Sequence, residues 1–166
     1  MIRPLIGASV IFTTSLASMA VSAFEQNAKS EAAIAREEEA NARVGEETTE
    51  RVCSECHAVD DVTSTRRMPR DWNEMVAAMA DRGATATQEE LAIIRRYLAR
   101  HFGLVAVNTA SAEDLAAVLG LSAQDAERIV EYRKKNGKFV DAAALLTVPG
   151  IDRMKIEAQR EALRFN

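Results

Sequence analysis

Cys53-Ser54-Glu55-Cys56-His57 places two thiols three residues apart with an imidazole directly after the second. This pattern matches c-type haem attachment. From the end of one helix the two sulfurs reach the two vinyl groups on one porphyrin edge, and the imidazole turns beneath the ring as the proximal iron ligand. Other chemistries compete for the same residues. A thioredoxin-like pair would open a helix beside a βαβ pattern, which the chain lacks. A zinc site needs two more ligands, and the only other histidine is His101. A structural disulfide over so short a loop would constrain little.

A second axial ligand has four candidates in the same stretch: Met68, Met75, Met79 and His101. Met75 and Met79 lie one helical turn apart on the face of Trp72, so both can look inward. Met68 precedes Pro69 in a loop, and His101 closes a helix, where its reading is structural. A Met ligand raises the reduction potential relative to two histidines and fits electron transfer rather than oxygen activation. Arg66, Arg67, Arg70 and the Trp72 indole are candidates to hydrogen-bond haem propionates, with plain solvation as the alternative for each arginine.

The elements that must position these groups are helices. Hydrophobic residues make up 48% of the 166 and charged residues 28%, with seven glycines and three prolines, which favours packed helices over strands and turns. A net charge of −4 excludes a global positive field toward nucleic acid. Arg3, the apolar run Leu5 to Ala20 and Val21-Ser22-Ala23 read as an export signal over residues 1–23, cut before Phe24. A retained anchor is the alternative, weakened by the short apolar stretch. The product is expected in a bacterial periplasm, with no transmembrane segment after cleavage.

Residues 24–50 are rich in Ala and Glu; from Glu25 to Glu50 eight acidic residues face three basic ones, which predicts a solvated, transiently helical tether leading into the first packed helix near Gly45. Residues 51–103 and 104–166 are each locally neutral. In the first, Trp72, Met75, Val76 and Met79 stripe one helix that Arg82-Gly83 closes, and Leu91, Ile94, Leu98 and Phe102 stripe another, started by a Thr87/Glu90 capping box. In the second, Ser111, Ser122 and Asp141 sit where helix caps belong, Asn136-Gly137 stops a long helix, and Pro149-Gly150 turns the chain into a last one. The expected class is all-α.

Cys53 to His57, followed by Arg66-Arg67, Trp72, Met79, Gly83-Ala84, Glu89-Glu90 and Tyr97-Leu98, resembles the small monohaem cytochromes c that accept electrons in periplasmic dehydrogenases, such as those oxidising sulfite. It also resembles the haem domains of quinohaemoprotein dehydrogenases. The resemblance covers about Glu50 to Gly103. It implies one covalent haem c, thioether-bound through Cys53 and Cys56, with His57 proximal and Met79, seven residues past the Trp, distal to the iron; Met68 is second choice. The sequence departs from ordinary class I cytochromes in having no proline after His57 until Pro69.

Val107-Asn108-Thr109-Ala110-Ser111, Ala126 to Arg133, Asn136-Gly137-Lys138-Phe139 and Leu145 to Ile151 are similar to the tandem helix-hairpin-helix domain of competence-type DNA receptors (ComEA type), a match running from Val105 to Phe165. Such units hold a duplex backbone through hairpin amides at a helix start. Here the hairpins read Gly120-Leu121-Ser122 and Gly150-Ile151-Asp152, each without a second glycine, and Asp152 would repel a phosphate. Arg128, Lys134, Lys135, Lys138, Arg153 and Lys155 could compensate, yet the nine acidic residues within 104–166 cancel them, so a DNA partner is not favoured.

These features point to a non-enzymatic electron carrier whose partners are a periplasmic dehydrogenase or a membrane electron-transport complex, with the second module docking on a protein. The alternative is a DNA-binding or DNA-uptake protein in which the haem is a redox sensor or structural cofactor. A peroxidase-like enzyme would need an open sixth iron position.

Overall fold

The computed structural model describes residues 15–166, so the start of the expected export signal lies outside the described residues. The elements are α1 (Ser15–Cys53), α2 (Val59–Thr63), α3 (Pro69–Asp81), α4 (Gln88–Phe102), β1 (Val105–Ala106), α5 (Ala112–Leu119), α6 (Ala123–Asn136), α7 (Ala142–Leu145) and α8 (Arg153–Ala158), then a 3-10 turn and β2 (Leu163–Arg164). No described helix is long and apolar enough to cross a membrane.

The chain divides after Asn41 into two compact units. In the first, residues 32–41 are helical and exposed, as an Ala/Glu stretch without large apolar anchors must be. In the second, residues 42–50, expected as tether, are a packed part of α1. Gly45 lets Tyr97 come so close that a Cβ there would lie 2.7 Å from Tyr97 Cβ. Thr49 is buried with its hydroxyl donating to the Gly45 carbonyl at 2.7 Å, and Val52 is in the core. Packing therefore begins near Ala42, close to Gly45, where the sequence places the first packed helix, and ahead of the module boundary at Arg51.

Local signals set the helix ends. Pro69 starts α3 with its fixed φ, and α4 opens on Thr87, whose hydroxyl accepts from the Glu90 amide while the Glu90 carboxylate accepts from the Thr87 amide. Ser111, Ser122 and Asp141 cap α5, α6 and α7 in the same way, each accepting an amide three residues on. Two apolar cores follow. One joins Val52, Trp72, Val76, Leu91, Ile94 and Leu98; the other is built around Leu115, Leu119, Ile129, Leu145 and Ile156.

Two features depart from an all-helical chain of separate modules. β1 pairs in parallel with β2, joining Val105 to Leu163, and Arg67 bridges Gly103, with the Arg67 amide donating to Phe102 O at 3.1 Å and the Leu104 amide to Arg67 O at 2.8 Å. Residues 51–103 and 104–166 thus lie in one compact unit from Ala42 to Asn166. Both pairings join residues far apart in sequence, which a local pattern does not encode.

Candidate functional site

The first core is incomplete. It leaves a small, partly open apolar cavity of about 40 Å³. Cys53 and His57 line it from the end of α1, Met75 and Met79 from α3, and Leu91 and Leu98 from α4. Helical periodicity explains the convergence: Met75 and Met79 share a face, as do Leu91 and Leu98. Apart from His57, the named wall is carbon and sulfur, the lining a large flat apolar ring requires.

Cys53 is the last residue of α1 and half-buried, whereas Cys56 is exposed on the following turn; both thiols are free. Burial, and secondarily the Glu50 carboxylate, push the Cys53 thiol pKa up, so it is protonated near neutrality. The Cys56 and His57 amides each donate to the Cys53 carbonyl at 3.3 Å, curling the turn back toward the helix end. Nδ1 of His57 lies 3.1 Å from the Ala58 carbonyl. With its proton on Nδ1, the ring donates there and presents the Nε2 lone pair as a ligand. The Ala58 carbonyl thereby provides an acceptor that the sequence, lacking the usual proline, does not announce. Among the described residues no three His, Cys, Asp or Glu side chains are grouped to hold a metal ion, so Cys53, Cys56 and His57 do not converge as zinc ligands would.

The other expected site residues sit elsewhere. Met68 is the residue before α3 and does not line the cavity. Trp72 is fully buried and donates its indole N–H to Phe102 O at 3.1 Å, so that donor is not available to a propionate. Arg66 donates to the His101 and Gly103 carbonyls at 3.2 and 3.4 Å and lies 3.8 Å from Glu161, which ties it to the seam with the second core. Arg70 is exposed beside Glu74. Arg67 differs: its guanidinium lies 5.6 Å from the Trp72 ring centroid, and its buried Nε has no partner among the described residues. Arg67 does not line the cavity. His101 packs on the Tyr97 ring at 4.7 Å, and burial together with Arg100 lowers its pKa, so it is a neutral packing residue.

The second core carries two hairpins. Gly120 and Gly150 adopt left-handed backbone, φ 66° and 74°, a region that favours glycine, and Leu121 and Ile151 after them are buried. Ser122 caps α6, and Asp152 caps α8 by accepting from the Lys155 amide at 3.1 Å. The Asp152 carboxylate is therefore engaged by its own helix. Two cations are structural: Arg128 bridges Asp125 at 2.7 Å and Gly150 O at 2.8 Å, and half-buried Arg133 donates to the Val107 and Ala110 carbonyls, whereas Lys134 pairs with Glu131 in an exposed surface contact. Lys135, Lys138 and Arg153 remain exposed. Asn108, whose role its position in the sequence does not announce, donates to Phe139 O and Phe165 O at 2.9 and 3.0 Å and accepts from the Phe139 amide at 2.8 Å.

Comparison with known proteins bears on this second core. The helix-hairpin-helix motif family matches residues 101–164. An uncharacterized protein of Haemophilus influenzae is 42% identical over 60 residues, 36% of this chain and 54% of that protein. Uncharacterized proteins of Neisseria meningitidis serogroups A and B are 44% identical over 62 residues, 37% of this chain and 8% of theirs. The chain thus spans about half the Haemophilus protein and a small part of the others. No solved structure matches. Residues 101–164, with their two glycine hairpins between capped helices, form a helix-hairpin-helix domain.

Proposed function

We propose that the cavity module holds one haem c, attached through Cys53 and Cys56 with His57 and Met79 as iron ligands, in an exported, periplasmic, non-enzymatic electron carrier. The observation that carries this reading is an apolar cavity lined by Cys53, His57 and Met79 together. The haem, when bound, supplies a one-electron iron couple at a potential raised by the Met ligand. The chain's own residues do the rest: Ala58 O orients the imidazole and the leucines exclude water. Two protein ligands leave no iron position for a substrate. The redox partners are a periplasmic dehydrogenase or a membrane electron-transport complex. The test is covalent retention: protein matured in a cytochrome c-competent host keeps haem after acid-acetone extraction, and Cys53→Ala/Cys56→Ala does not. Extraction of all haem from the wild type would refute the assignment.

A second reading takes its support from the family match, which concerns the helix-hairpin-helix domain and favours this reading over the first. Here the domain docks on a duplex DNA backbone, and the haem is a redox sensor or structural cofactor. The exposed Lys135, Lys138 and Arg153 are the candidate phosphate-binding cations. Full-length protein would then bind duplex with strong salt dependence, and Lys135→Ala/Lys138→Ala/Arg153→Ala would reduce the log-log salt slope by roughly one for each cation removed. Affinity independent of salt, or absent, would return the domain to protein docking.

A further inference from the structure

We infer that occupancy of the cavity and order at the first hairpin are linked through α4, a proposal that rests on the haem reading. One stretch of α4 is cavity wall: Leu91, Ile94 and Leu98 all line it. Just past Leu98 the same helix meets the helix-hairpin-helix domain. Arg100 donates to the Val118 carbonyl at 3.3 Å, and its guanidinium lies against the first hairpin, where a Cβ on Gly120 would come within 2.7 Å of it. Gly103 ends the helix against α5, so close that a Cβ there would stand 2.9 Å from Val118 Cγ2.

Leu98 and Arg100 are two residues apart, roughly 3 Å along a helix axis. Close-packed interiors transmit displacements of that scale instead of absorbing them. A rigid ring against Leu91, Ile94 and Leu98 fixes α4, and a fixed α4 holds Arg100 on Gly120. With the cavity unfilled, its wall lacks partner atoms and α4 is less constrained. The second hairpin has a different anchor. Arg128 of α6 donates to Gly150 O at 2.8 Å. Linkage through α4 is therefore selective for the first hairpin over the second, and by reciprocity a ligand that orders the first hairpin stabilises the loaded cavity module.

The test is amide hydrogen exchange on the full chain, haem-loaded wild type against Cys53→Ala/Cys56→Ala, followed over residues 115–125 and 148–156. The expected result is exchange about tenfold faster at the first hairpin in the unloaded chain, with the second changed by less than about threefold. Arg100→Ala in the loaded protein should speed exchange at the first hairpin while leaving the haem spectrum unaltered. Equal exchange at the first hairpin with and without haem overturns the linkage, as does equal acceleration at both hairpins or an unaffected first hairpin in Arg100→Ala. The wild-type absorption spectrum separates the two claims: absent haem defeats the haem reading, whereas present haem with unchanged exchange defeats only the linkage.

Discussion

His57, on the turn that leaves α1, and Met79, in the last turn of α3, line one apolar cavity, although 21 residues of chain (58–78) separate them. His57 is set by the Ala58 carbonyl and the turn back to Cys53, and Met79 by a helix whose buried Trp72 and Val76 fix which face turns inward.

The approach of α1 to α4 predicts a steric penalty. Gly45→Ala places a methyl 2.7 Å from Tyr97 Cβ, an atom fixed to the backbone, and 2.8 Å from its Cδ2. Overpacking there should cost about 1–3 kcal/mol in urea denaturation. An unchanged midpoint would show that α1 does not pack on α4 at this point.

Asn108 predicts a side-chain dependence that size alone does not explain. Its amide gives two hydrogen bonds and accepts one, clamping Phe139 and Phe165. Asn108→Ala should cost about 1–3 kcal/mol, and Asn108→Asp should not rescue, because a carboxylate cannot donate to two carbonyls. Full stability of the Asp variant would contradict this clamp.

His101 gives a pH dependence. Burial and Arg100 lower its folded-state pKa, opposed by Glu46, so the fold favours the neutral ring. The contribution is complete above the unfolded value of about 6.5 and is lost as pH falls from there toward the folded value, because the unfolded chain takes up the proton first. Wild type should lose more Tm between about pH 7.5 and 5.5 than His101→Phe, which keeps a ring against Tyr97. Equal losses would assign the acid sensitivity to other groups.

What was legible in the sequence was local. The Thr87/Glu90 box and the caps at Ser111, Ser122 and Asp141 depend on residues three apart, and the inward face of Met75 and Met79 follows from helical periodicity. The two hairpins were legible from their glycines. Long-range pairing was not: Arg66 and Trp72 are donors that a propionate could accept from, and the fold supplies backbone acceptors from the end of α4 instead. The same blindness hid the β1–β2 pairing and the hold of Arg100 on the first hairpin, each made by residues distant in the chain.

The most direct measurement is the optical spectrum, oxidised and reduced, of protein exported from a cytochrome c-competent host, for wild type, Met79→Ala and Met68→Ala. Met79 lines the cavity and Met68 does not. Wild type and Met68→Ala should show low-spin haem with the Met-to-ferric-iron charge-transfer band, and Met79→Ala should lose that band. Absence of covalent haem in the wild type, or a band that survives in Met79→Ala and disappears in Met68→Ala, would contradict the assignment.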